Sequence, residues 1–410
     1  MAEFIYPRNV RRTLKLALTD TPVVALLGPR QSGKSTLVRA LAPDRAYVTL
    51  DEEPMLRTAR EDPIGFIAAL PTRVTLDEVQ RAPGLLLAIK VAVDRDRRPG
   101  RFLLTGSAQT QMLPHVAHEL VGRVAFTTLW PFSQGEIDGT AKDFITAAFR
   151  PGRLQRTASP PGRGDLLRRA LRGGFPEAVG RSAPRREEWF SSYVATSLER
   201  SVRDVADIEG IARMPGLMAL LAARSGGLVN YADLARGLRL PETTVRRYVA
   251  YLEVAAVLHR LPAWATNTSV RVVKAPKLHL VDSGLLANVL GIDAARLAAQ
   301  PELAGPLLET FVVDEIFRQQ SFSKTRCTLS HFRTRSAGEV DIVIEGPGGD
   351  IVGIEVKAAD TATTADARGL LTLRDEAGDR FVRGLVLYTG EHWLSLGDKI
   401  EAAPIASLWA

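Results

Sequence analysis

One short stretch restricts the folds open to this chain more than any other. The apolar run "VVALL" leads into "GPRQSGKS" (residues 28–35), and the helix-forming "STLVRALA" continues from its last residue. Strand, glycine-bracketed loop, Lys-Ser and helix, in that order, make the phosphate-loop pattern G-x-x-x-x-G-K-[ST] in its confirming context. Two glycines let the backbone curl until successive N–H groups converge, and the helix that follows adds the positive end of its dipole. The expected nucleotide contacts are Gly28, Pro29, Arg30, Gln31, Ser32, Gly33, Lys34, Ser35 and Thr36. Lys34 is expected to reach the β- and γ-phosphates and Ser35 to ligate Mg2+, which makes ATP and Mg2+ the expected cofactors.

Such a loop needs a parallel sheet behind it. "AYVTLD", "RVTLDEV" and "RFLLTGS" supply further short apolar runs, each followed by a polar or helical stretch, the βαβ pattern of a sheet covered on both faces. In a parallel sheet the strand C-termini meet at the ligand edge. "RVTLDEVQ" ends there in paired acids. Asp77 is expected to hold the Mg2+ shell and Glu78 to polarise the attacking water. "RFLLTGSA" ends in Thr105 and Ser107, and Ser107 is the expected γ-phosphate sensor. Arg123, in "ELVGRV", is a candidate arginine finger toward a neighbouring subunit.

At 410 residues the chain exceeds one core. The expected organisation is an ATPase domain over 1–138, a Pro/Gly/Arg-rich linker or mobile loop over 139–165 and a helical region over 166–214. A winged-helix-like module follows over 215–265, then a mixed α/β domain over 266–410. No apolar run approaches the roughly 20 residues that span a bilayer, and the N-terminus lacks a signal-peptide core. A single cysteine, Cys327, excludes an internal disulfide framework and fits a reducing cytoplasm. The net charge is +7, and of 53 basic residues only nine are lysine, leaving 44 arginines. That excess fits a phosphate-rich partner, and coding bias toward arginine equally well.

Several segments together resemble a known group. "GPRQSGKST", "YVTLDEEP", "VTLDEVQ", "LLTGSA", "ELVGRV" and "LWPFSQGEI" look like an AAA+ ATPase. "GGFPEAV", "VRVVKAPKLHLVDSGLLANVLG", "GPLLETFVVDEI", "HFRTRSAGEVDIVIE" and "GIEVKA" extend the likeness along nearly the whole chain. The resemblance is to bacterial and archaeal AAA+ proteins whose C-terminal half is an uncharacterised domain related to PD-(D/E)XK nucleases. It implies a P-loop parallel-sheet domain, a helical middle region and a restriction-endonuclease-like C-terminal domain. It implies ATP-dependent switches or motors and leaves their targets poorly defined.

In the middle region, "LVNYADLARGLRLPETTVRRYVAYLEVAAVLHRLPAW" (residues 228–264) has the cadence of a winged helix. Val245, Tyr248, Val249 and Leu252 recur at helical spacing and should be buried. Arg246 and Arg247 fall on the opposite face, where they could meet nucleic acid; a lid or protein-contact module is the other reading.

Near the end, "GEVDIVIE" and "DIVGIEVK" flank "GPGG". Each alternates as a strand does, and a symmetric hairpin centred on Gly348 sets Asp341 opposite Glu355. Two opposed carboxylates can share a divalent ion, with Lys357 on the same side as Glu355. This D…E-x-K set is similar to the core of PD-(D/E)XK nucleases, which draw another acid from a preceding helix. The likeness implies Glu309 for that role, with Glu315 as an alternative. The expected function is an ATP-hydrolysing protein that couples nucleotide state to a nuclease-like domain that binds or cleaves nucleic acid, with DNA and further copies of the chain as candidate partners. The alternative is an ATP-dependent switch that binds DNA or a protein partner without cleavage.

Overall fold

The structure, a computed structural model, describes residues 6–107, 119–152, 154–156, 159–198, 213–266, 274–334 and 338–410, with the side chains of Ser107, Ser197 and Leu198 outside it. Its first layer is a five-stranded sheet in the order β2-β3-β4-β1-β5. The strands are β1 (Val23–Gly28), β2 (Ala46–Thr49), β3 (Val74–Asp77), β4 (Phe102–Ser107) and β5 (Val124–Thr128). All four pairings are parallel. Separate apolar clusters lie around Val23, Ala25 and Leu27 and around Val24 and Leu26. Alternate residues of β1 therefore face different cores, which is why its run is apolar throughout.

A single cluster of buried side chains runs from Phe144 to Trp409 and takes in both the middle region and the C-terminal half. The stretch 139–165, expected as a linker or mobile loop, contributes to it. Asp143 caps the short helix Phe144–Ala148, and Phe144, Ile145 and Ala148 are buried.

The helices Tyr231–Leu238 and Glu242–Val254 are joined by a tight turn at Arg239–Pro241, with Val245, Tyr248, Val249 and Leu252 buried as the periodicity required. They lead into an antiparallel pair, β6 (Leu258–Leu261) and β7 (Lys277–Leu280). The expected boundary at 265/266 thus cuts a hairpin whose returning strand the sequence reading assigned to the next domain.

The C-terminal sheet has six strands in the order β12-β13-β11-β10-β9-β8. They are β8 (Thr328–Arg333), β9 (Glu339–Glu345), β10 (Ile351–Lys357), β11 (Phe381–Tyr388), β12 (Leu394–Gly397) and β13 (Ile400–Pro404). β10, β11 and β13 run parallel; β8, β9 and β12 pair antiparallel. Ile342 and Ile344 pack in the core that contains the helix Ala304–Gln320, whereas Val343 packs with the helix Arg368–Ala377. Among the described residues no helix is long and apolar enough to cross a membrane.

Candidate functional site

At the C-terminal edge of the first sheet, Gly28 turns with φ +154°, and a Cβ there would lie 2.2 Å from the Leu129 carbonyl oxygen. Only glycine fits this approach. Gly33, at φ +91°, is the N-cap of the helix Lys34–Leu41. Lys34 is buried, and its Nζ donates to the carbonyls of Gly28 (3.1 Å) and Pro29 (2.8 Å). Ser35 Oγ donates to Asp77 Oδ2 at 2.8 Å. Asp77, also buried, accepts further from Thr105 and Tyr47. Glu78 sits in the left-handed region at φ 58°, its carboxylate accepting from Gln80. Arg30, Gln31, Lys34, Ser35, Glu78 and Thr196 line a cleft of about 390 Å³. A hydroxyl and a carboxylate, all oxygen donors, suit a hard divalent ion, so Ser35 and Asp77 fit Mg2+.

Two further sequence expectations fall differently. β4 places Ser107 in register with Gly28, but its side chain lies outside the described residues; the hydroxyl that reaches Asp77 is that of Thr105. Arg123 precedes β5, whose first residue pairs with the first of β1. It is therefore at the opposite edge of the sheet from the phosphate loop of its own chain, donating to Asp94 (2.6 Å) and the Val121 carbonyl (2.8 Å).

Burial pulls the Lys34 ammonium down to about 8. A triphosphate requires the charged form, so binding above that pH must take up a proton. The dissociation constant for ATP should be roughly tenfold larger at pH 9 than at pH 7, read by fluorescent-nucleotide titration. A constant affinity across that range would overturn the assignment.

The loop is joined to the rest of the chain by buried polar contacts. Arg8 donates to the Ser32 carbonyl (3.1 Å) and to Trp130 O (2.5 Å), and pairs with Glu136 at 3.3 Å. Gln134 N donates to Glu315 Oε2 (2.8 Å), and Arg318 Nη1 donates to Phe132 O (3.0 Å). Segment 130–136 is therefore held from one side by the phosphate loop and from the other by the helix Ala304–Gln320. Glu315 is spent here; the helix acid that faces the C-terminal hairpin is Glu309.

At that hairpin the ladder runs in the expected register and ends at Ile342 with Ile354, leaving Asp341 and Glu355 just beyond it; Val356 N donates to Asp341 Oδ2 at 2.9 Å. Lys357 Nζ donates to Glu355 Oε1 at 2.8 Å. A residue the sequence reading did not single out sits among the acids. Lys277, only 1% exposed, places its Nζ 2.9 Å from Glu309 Oε1, 2.9 Å from Asp341 Oδ1 and 2.5 Å from Glu339 Oε1. Those carboxylates raise its pKa against the opposing effect of burial. Burial, with Asp341 alongside, pushes the Glu309 and Glu355 carboxyls up to about 8. Among the described residues no set of three or more His, Cys, Asp or Glu side chains could hold a metal ion. Two of the three expected metal ligands, Glu309 and Asp341, share the Lys277 ammonium, and the third, Glu355, pairs with Lys357.

Residues 20–138 match the AAA domain family. Residues 163–296 and 304–408 match two domains of unknown function, DUF8612 and DUF4143. An uncharacterized protein of Mycobacterium tuberculosis is 32% identical over 401 residues, spanning 97% of this chain and 83% of that protein. Its Mycobacterium bovis counterpart gives the same figures. This chain belongs to their family. The five-stranded sheet lies within the residues that match the AAA domain family. The match over the C-terminal half names no activity, so nuclease kinship gains nothing from it.

Among solved structures, the Walker-type ATPase of Pyrococcus abyssi is similar at 18% identity, covering 70% of this chain and 97% of that one, with a TM-score of 0.43. The RuvB Holliday junction branch migration motor of Thermotoga maritima is similar at 19% identity, covering 62% and 89%, with a TM-score of 0.31. Both are too distant for an argument to rest on them.

The middle-region arginines are engaged within the chain. Arg246 donates to Glu242 Oε1 (2.9 and 2.6 Å) and lies 4.1 Å over the Tyr231 ring. Arg247 lies 5.8 Å over Tyr248. The turn from β6 to β7 includes residues 267–273, outside the described residues.

Proposed function

We propose that this AAA+ protein binds and hydrolyses Mg·ATP at the Gly28–Thr36 loop and uses nucleotide state to change the hold between its ATPase sheet and its C-terminal half, which binds nucleic acid without cutting it. The observation that carries this reading is the buried relay Ser32–Arg8–Glu136 with its continuation through Gln134–Glu315 and Phe132–Arg318. Lys34 rests on two carbonyls that phosphate oxygens would replace, moving the backbone at Gly28–Pro29. Ser35 and Asp77 would hold Mg2+, which when bound neutralises charge on the phosphates. Glu78 must leave Gln80 to polarise a water. A net charge of +7 is compatible with a nucleic acid as partner. The Lys277 ammonium among the hairpin acids favours binding without cleavage over metal-dependent cleavage.

Incubation with linear duplex DNA and Mg2+ or Mn2+, with and without ATP, tests this. The DNA should stay intact, and binding should weaken by at least about tenfold between 50 and 200 mM salt. Cleavage that disappears with Asp341→Ala would replace this reading by the nuclease. Hydrogen exchange supplies the coupling measurement: a non-hydrolysable ATP analogue should alter protection over residues 130–136 and 304–320 in the wild type and not in Glu136→Gln. Changes confined to the phosphate loop would break the relay.

A further inference from the structure

We infer that Lys277 is the resident cation of the hairpin's acid cluster, supplied by the middle module, and that it closes this site to divalent metal. The inference goes beyond the ATPase reading and does not depend on it.

Lys277 begins β7, paired with β6 and bridged by Leu228. Its ammonium therefore comes from the helix-and-hairpin unit, not from the sheet that carries the acids. The carboxylates come from separate elements: Glu309 from the helix Ala304–Gln320, Glu339 and Asp341 from β9. Three oxygens at 2.5–2.9 Å from one nitrogen are hydrogen-bonding distances that use all three ammonium protons. Gly226, at φ +80°, backs Glu309: a Cβ there would lie 2.7 Å from Glu309 Oε2. Room for this arrangement is thus built into the chain preceding the helices as well.

Charge makes the same point. Unscreened carboxylates this close repel, and a buried cation is what lets them coexist. Lys277 supplies that cation for three of them, and Lys357 pairs with the fourth, Glu355. One atom is left over: Glu355 Oε2 is buried with no hydrogen-bond partner. It marks the place where the cluster still lacks positive charge. A divalent ion shared between Glu355 and Asp341 would have to compete with the Lys277 ammonium for the Asp341 carboxylate.

The hairpin that delivers Lys277 also touches the ATPase side. His259 of β6 stacks on Phe317 at 3.9 Å and meets Trp130 edge-on at 4.6 Å. Trp130 O accepts from Arg8, which also holds the phosphate-loop carbonyl of Ser32. The plug is thereby within reach of the domain that senses nucleotide, although the inference stands on the cluster alone.

The test uses the full chain without nucleotide and Mn2+ as the probe, followed by the loss of its free-ion EPR signal. Wild type and Asp341→Asn should bind Mn2+ identically, with no site that depends on Asp341. Lys277→Ala should gain one site per chain, at least about tenfold tighter than anything in the wild type, and Lys277→Ala/Asp341→Asn should lose it. Lys277→Gln, which keeps a polar side chain in place, serves if the alanine variant does not fold. An Asp341-dependent Mn2+ site in the wild type would overturn the inference, and so would a folded Lys277 variant that gains none. Because ATP is absent, failure here leaves the ATPase reading standing, and loss of ATP turnover leaves this one standing.

Discussion

Replacing Lys34 by alanine should lower Mg2+-dependent ATP turnover by at least about a hundredfold while leaving the fold intact. On the proposed reading the phosphates lose the lysine of the loop, and among the described residues no other lysine lines the cleft. The protein, in contrast, loses an ammonium that is disfavoured where it stands. Burial pulls Lys34 down to about 8, well below the ordinary range of a lysine. A lysine whose folded pKa lies below its unfolded one makes folding less favourable at neutral pH, where only the unfolded chain accepts the charge freely. Removing it should leave the melting temperature unchanged or slightly raised, while phosphate release falls away. Turnover within threefold of wild type would remove the phosphate-loop assignment. A collapse of the melting temperature would instead mean that the Gly28 and Pro29 carbonyls need the ammonium.

That site was legible because its chemistry is local. Eight consecutive residues specify the loop, and the strand end that carries Asp77 announces itself by acids after an apolar run. The hairpin register was legible for a similar reason: "GPGG" fixes the centre, and alternation fixes the rest, so Ile342 falls opposite Ile354 with Asp341 and Glu355 just beyond. Lys277 was not legible. It lies 32 residues from Glu309 and 64 from Asp341, and only tertiary folding brings them together. In sequence it is a lysine beginning a short strand, indistinguishable from a solvated one. The stretch 139–165 misled by average composition. Its prolines, glycines and arginines read as loop, yet Phe144, Ile145 and Leu154 are enough to anchor it in the core. Arg123 shows how little position in sequence says of geometry: only the sheet places it at the far edge from the phosphate loop of its own chain.

Replacing Arg318 by methionine should be the most destabilising single change, costing about 3–5 kcal/mol. The guanidinium is 2% exposed and lies 2.8 Å from Asp282 Oδ2 and 3.7 Å from Asp314 Oδ2, both fully buried. Methionine fills much of the space but leaves two carboxylates with no opposing charge. Burial already raises both above the usual aspartate range, with Arg318 as the principal opposing influence. An acid whose folded pKa is raised binds its proton more tightly folded than unfolded, so its contribution falls as pH climbs above the unfolded value. Taking away the guanidinium widens that gap. The loss should therefore be larger at pH 8 than at pH 5, as urea denaturation at the two pH values would record. Adding Asp314→Asn should recover part of the loss, since burial holds the Asp314 carboxyl well above the usual aspartate range and the neutral amide removes that buried charge. A loss below about 1 kcal/mol, or one independent of pH, would mean that the cluster is already neutral without the arginine. Arg318 also holds the Phe132 carbonyl, so its removal loosens the segment between the phosphate loop and the C-terminal half. If the ATPase sheet and the remainder normally unfold together through that segment, the variant's denaturation curve should broaden or split into two steps, while the wild type gives one.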